Sequence, residues 1–95
     1  MINVVAASRV KKDCIEEFKQ LARELVAETR KEAGCLSYGL FEDTNDGAAL
    51  TLLESWESPA HLEAHFQTGH FKRIVPLLDG LKEDGGGVTV YKECE

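Results

Sequence analysis

Val4, Val5, Ala6 and Ala7 follow one another without interruption, and Leu50, Leu52 and Leu53 stand together with one Thr among them. Both stretches read as strands: residues 2–10, rich in Val and Ala, and LTLLESWE, residues 50–57. Successive side chains of a strand point to opposite faces, so apolar residues of both parities require cover on both faces of the sheet. The chain has 95 residues, which suffice for a single domain over 1–95 and for one helical layer. The other face is left for a second copy. The pattern predicts a two-fold homodimer through sheet-on-sheet packing, with Val5, Leu53 or their opposite-parity neighbours at its centre.

The remaining segments fill in one plan. KKDCIEEF opens a helix in which Asp13 is the expected cap and Glu16, three residues on, completes a capping box. Ile15, Phe18, Ala22, Leu25, Val26 and Thr29 recur at helical spacing, with charged residues on the other side. Gly34 is placed to end this helix. CLSYGLFED is a second strand, joined to the third by TNDGAA, whose Asn45, Asp46 and Gly47 carry turn chemistry. Ser58 and Pro59 open a second helix, cap and first position respectively, which should end near Gly69. HFKRIVPLLDGL continues as a short helical piece whose regularity Pro76 limits. EDGGG reads as a flexible loop and VTVYKE as the last strand. The order β-α-β-β-α-β predicts an α+β, ferredoxin-like fold: a four-stranded antiparallel sheet with helices on one face.

Charge narrows the function. Lys and Arg number 11 against 17 Asp and Glu, a net −6, so the chain lacks the cations that phosphate backbones or anionic membranes require. No apolar run approaches the ~20 residues that span a bilayer. The apolar N-terminal stretch has no basic residue before it and reads as a strand, not a signal peptide, so the expected location is cytoplasmic. Cys14, Cys35 and Cys94 are odd in number and lack C-x-x-C spacing, which points to free thiols instead of disulfides or a zinc finger.

The chemistry concentrates in ESWESPAHLEAHFQTGHF, residues 54–71, which holds Trp56 and all three histidines. His61 and His65 share a helix face, but HLEAH is not H-E-x-x-H. Glu63 stands two positions from each His, about 200° around the helix, so no metal site is expected. Leu62 and Phe66 mark the buried stripe. His65 lies beside it and His61 nearer its edge. His65 can therefore face the space between helix and sheet, where Trp56 at the strand end can also point. Spacing alone allows both a core histidine satisfied by one hydrogen bond and a general acid or base in an aromatic pocket. Neither G-x-G-x-x-G nor G-x-S-x-G occurs.

EAGCLSYGLFED and LTLLESWESPAHLEAHFQTGHFK together resemble the antibiotic biosynthesis monooxygenase family, small dimeric α+β barrels. The resemblance covers residues 32–43 and 50–72 and rests on E-x-G-C-L-x-Y, E-x-W-x-S and H-x-x-x-x-H-F in that order. It implies oxygenation of a quinol-like or other phenolic small molecule with O2 as co-substrate and no cofactor, the protein supplying a dry pocket, a proton acceptor and placement. His65 and Trp56 are then the expected catalytic pair, with Tyr38, Phe66, His70 and Phe71 binding the small aromatic substrate. Haem-degrading relatives carry an Asn where Ser8 stands and a His after the second helix; here Arg73, Ile74, Val75 and Pro76 follow Lys72, and only Trp56 is retained. A cofactor-independent isomerase of a small, phosphorylated metabolite and a non-catalytic small-molecule-binding dimer are the alternatives.

Overall fold

The computed structural model describes residues 1–83 and 86–95. Four strands, β1 (Ile2–Arg9), β2 (Cys35–Asp43), β3 (Asp46–Trp56) and β4 (Gly87–Lys92), form one antiparallel sheet in the order β2-β3-β1-β4. Three helices, α1 (Ile15–Thr29), α2 (Pro59–Phe66) and α3 (Gly69–Asp79), pack on it. The arrangement is ferredoxin-like, as the element order predicts. No helix among the described residues is long and apolar enough to cross a membrane.

Parity sets the core. Ile2, Val4 and Ser8 of β1 and Leu50, Leu52, Glu54 and Trp56 of β3 point under the helices and are buried. They meet Phe18, Ala22, Leu25 and Val26 of α1, Leu62 of α2 and Ile74 and Leu78 of α3. Each large apolar side chain so buried contributes about 1.5–3 kcal/mol. The opposite parity points outward. Val5 and Leu53 are Cα partners there, and Leu53, Phe41 and Tyr91 are 41%, 55% and 52% exposed. The strands thus carry apolar residues on both faces, and the helices cover one.

Several local details differ from the sequence reading. A 3-10 turn over Lys12–Cys14 precedes α1, whose N-cap is Cys14 without a side-chain hydrogen bond, so Asp13 does not cap it. α1 stops at Thr29, and Gly34, with φ 79, instead shapes the turn into β2. The hairpin turn is Thr44–Asn45, with Asp46 and Gly47 already in β3. There Asp46 accepts from the Ala48 amide (3.0 Å) and pairs with Arg9 (2.8 Å), both of which hold its carboxyl below the usual range. Ser58 and Pro59 start α2 as expected, Ser58 accepting from the His61 amide. α2 is short, because Thr68 caps a separate α3 by accepting from the Phe71 amide. α3 runs through Pro76. The loop expected over residues 83–87 includes 84 and 85, which lie outside the described residues. Cys14, Cys35 and Cys94 are free thiols.

Candidate functional site

The turn after α1 is tied down by backbone bonds from Glu32 to Thr29 (3.0 Å), from Cys35 to Glu32 (3.3 Å) and from Glu57 to Gly34 (2.9 Å). It therefore carries Glu32 beneath the α2–α3 junction. At that junction the Thr68 hydroxyl donates to the His65 carbonyl (2.8 Å) while capping α3, a short reversal that puts His65 at the end of α2 and His70 at the start of α3 on the same carboxylate. His65 Nδ1 and His70 Nε2 each lie 2.7 Å from Glu32 Oε2. These are lengths of charge-assisted hydrogen bonds, with each ring N–H donating to the carboxylate. Holding Nδ1 as the donor leaves Nε2 of His65 as the lone-pair nitrogen, and no partner for it is found among the described residues.

His65 is 1% exposed and sits in an aromatic cage. Its ring centroid is 4.7 Å from Trp56, 5.0 Å from Phe71, 5.6 Å from Tyr38 and 6.0 Å from Phe66. Burial pushes the imidazole below its ordinary 6.5, while the hydrogen bond and charge of Glu32 pull it back up. His65 is thus a neutral base at neutral pH.

A cavity of about 200 Å³ opens beside this ring, between the helices and the sheet. Tyr38, Leu52 and Glu54 form part of its sheet side, and His65, Phe66 and Phe71 part of its helix side. A dry cavity of about 150 Å³ admits benzene, so a substituted aromatic ring fits this one. Glu54 is 7% exposed, and its Oε1 accepts the Trp56 indole N–H at 3.0 Å. Burial raises the Glu54 carboxyl to about 7, the Trp56 bond opposing and the Glu32 charge adding to the rise. Tyr38 is also pushed up, by burial first and then by Glu54 and Glu32, so its phenol stays neutral. A wider hollow between α1 and the β2–β3 hairpin is lined by Lys19, paired with Glu42 at 3.1 Å, by Arg30, which donates to the Tyr38 carbonyl, and by apolar residues such as Leu40 and Phe41.

Four of the six expected site residues, His65, Tyr38, Phe66 and Phe71, line the cavity. Trp56 does not: it is completely buried behind His65, so it supports the site and does not close its mouth. His70 lies on the far side of Glu32, 18% exposed. His61 is turned away, its Nδ1 2.8 Å from the Ser58 hydroxyl, over Gly34. A Cβ on Gly34 would clash with the His61 ring. Glu32 and Glu54 were not foreseen. Glu54 shares the parity of Leu50, Leu52 and Trp56, and that periodicity is the signal for its inward position. Glu32 opens the E-x-G-C-L-x-Y stretch but otherwise resembles any acid at a helix end.

Glu32, His65 and His70 bring three donor atoms within 4.8 Å of one another, a grouping the sequence reading did not expect. A zinc ion bonds nitrogen at about 2.0–2.1 Å and must sit between its ligands. Here both nitrogens instead approach one carboxylate oxygen at hydrogen-bonding distance, and the cluster as it stands is a His–carboxylate–His chain.

Residues 1–77 match the family model described as antibiotic biosynthesis monooxygenase. An uncharacterized Synechocystis protein, sll1783, is 34% identical over 97% of the chain, which spans only 63% of that relative's length. The Escherichia coli protein named "Probable quinol monooxygenase YgiN" is 39% identical over 60% of the chain and 62% of its own length. A crystal structure titled as an antibiotic biosynthesis monooxygenase superposes over all of both chains with a TM-score of 0.94 and 36% identity.

Proposed function

The chain belongs to the antibiotic biosynthesis monooxygenase family, and on that premise we infer that it oxygenates a quinol-like or other phenolic small molecule with O2, without a cofactor. The observation that carries this reading is His65: a buried, neutral imidazole whose Nδ1 is fixed by Glu32 and whose ring lines an apolar cavity of ring size. Such a group accepts the proton of a phenol held against it, and the resulting phenolate is the electron donor to O2. The aromatic wall excludes water from the electron-rich intermediate. The test is oxygen uptake by metal-stripped protein with a panel of hydroquinones, naphthols and anthrones. An isomerase or a binding protein leaves oxygen unconsumed across the panel, and that result overturns the reading.

Removal of divalent metal is expected to leave turnover and melting temperature unchanged, since the Glu32–His65–His70 chain is complete through its own hydrogen bonds. Stoichiometric zinc, iron or copper in untagged protein, with activity lost on its removal, refutes this.

The outward apolar face of Val5, Leu53, Phe41 and Tyr91 is proposed to pack on its copy in a homodimer. A standard interface buries roughly 1,600 Å² in total. Leu53→Glu places a charge at the centre of that face and is expected to shift the protein to monomer in sedimentation. A wild-type protein that sediments as a stable folded monomer at micromolar concentration contradicts the dimer.

A further inference from the structure

We propose that Glu54 is a second catalytic residue, the proton donor on the sheet side of the cavity, working with His65 on the helix side. The proposal rests on the monooxygenase reading for its reaction and on geometry for its residue. Glu54 is a buried carboxyl in the cavity wall, on a central strand, between its Cα partners Val4 and Tyr38. One oxygen is anchored by the Trp56 indole, and no other hydrogen-bond donor to the group is found among the described residues. Among the described residues no Lys or Arg pairs with it. A carboxyl so placed is not needed for packing, and an apolar residue of similar size would fill the wall without the cost of burying an acid.

The groups around it favour the protonated form. Glu32 from the α1–β2 turn presents negative charge. Tyr38 on β2 is a neutral phenol, and His65 on α2 is a neutral imidazole. His70 on α3 faces Glu32. Lys82 and Asp79, which also line the cavity, are paired with each other at 2.9 Å. Burial and Glu32 together hold the Glu54 proton to about pH 7.

The step balances for a phenol with a free position para to its hydroxyl. His65 Nε2 takes the hydroxyl proton. The phenolate transfers one electron to O2, and the radical pair couples with formation of a C–O bond at the para carbon, leaving a peroxide anion. Glu54 gives its proton to the terminal peroxide oxygen. The Glu54 carboxylate then takes the hydrogen of the para carbon as a proton while the O–O bond breaks heterolytically. The departing hydroxide takes the proton from His65, giving water and a quinone. Phenol plus O2 becomes quinone plus water, and both residues return to their starting states.

The probe is 1-naphthol, used anaerobically for binding and aerobically for turnover, with wild-type protein and Glu54→Gln. Gln keeps the size and the acceptor for Trp56, so melting temperature should hold. In the infrared, wild type should show a protonated-carboxyl band near neutral pH that is absent from Glu54→Gln and moves when 1-naphthol is added without oxygen. With oxygen, turnover should fall at least about 10²-fold in Glu54→Gln, with a smaller change in KM. The decline of wild-type rate above about pH 7 should disappear from the residual activity of the variant. Absence of the band, a band indifferent to 1-naphthol, or wild-type turnover in Glu54→Gln overturns the proposal. Absence of oxygen uptake in wild type with 1-naphthol and across the hydroquinone, naphthol and anthrone panel overturns the monooxygenase reading instead, while the anaerobic band still decides whether Glu54 meets the ligand.

Discussion

His65→Ala is expected to lower turnover by about 10²–10⁴-fold, the range that a positioned general base contributes. The ring it removes lines the cavity wall, and its Nδ1 is locked on Glu32. Neither nearby ring replaces it: His70 is engaged by the same carboxylate, and the Tyr38 phenol holds its proton too firmly to serve as a base. His65→Ala also leaves Glu32 with one histidine where it had two, so melting temperature must be measured alongside rate. His65→Gln, which fills more of the space, serves as a second variant. His61→Ala should change turnover little, since that ring bonds Ser58 away from the cavity. If His61→Ala proves the more damaging, the assignment fails. The pH profile adds a check with a definite sign. The folded imidazole binds its proton less readily than an unfolded one, so the protein gains stability as pH rises from the depressed pKa toward 6.5 and loses it on acidification through that window. The rate should fall on the same acid side, where Nε2 becomes protonated.

Trp56→Ala is expected to cost about 3–5 kcal/mol of folding stability, the usual result of emptying a fully buried aromatic site. In a domain of this size that lowers Tm by more than about 12 °C. Two effects combine. The indole fills space against His65, at 4.7 Å between centroids, and Tyr38, at 6.4 Å. Its N–H also offsets part of the burial cost of Glu54. Without that donor the Glu54 pKa should climb further. Because the native state holds this proton more tightly than the unfolded chain, the group's contribution weakens as pH rises from about 4.5 to about 7. The Trp56→Ala penalty should accordingly be larger at pH 8 than at pH 6. Trp56→Phe should restore most of the packing but not this pH dependence. Urea denaturation at the two pH values separates the terms. A loss below about 1 kcal/mol shows that the indole is not an essential filler.

The large features of the fold were readable because each has a local physical cause. Alternating parity, the Ser58–Pro59 start and the hairpin between β2 and β3 need only neighbouring residues. The mixed parity of Val4–Ala7 and Leu50–Leu53 likewise revealed apolar residues on both sheet faces. What was missed depends on contacts between distant segments. Asp13 was read as a cap, but the chain enters α1 through a 3-10 turn. The second helix was expected to run to about Gly69, although Thr68 has the cap chemistry that opens α3 there and leaves α2 to end at Phe66. At the site, the inward position of His65 was readable from its helix stripe. Glu32 was not, because its role exists only where a turn 33 residues away in sequence meets that helix. Trp56 was expected beside His65 in the pocket, whereas its register opposite Ile2 and Cys35 places it deep under the helices and outside the cavity lining.

The edge strand β4 is bonded on one side only, and the helices leave it largely uncovered: Val88 and Val90 have the inward parity yet are 66% and 52% exposed. Val88 nevertheless lines the cavity. None of the ionisable groups of the site belongs to this strand. Substitutions at Val88 can therefore reshape the cavity wall while His65, Glu32 and Glu54 keep their places. A lineage, or a designer, exploring new ring systems has in β4 a part that can vary without renegotiating the proton chemistry.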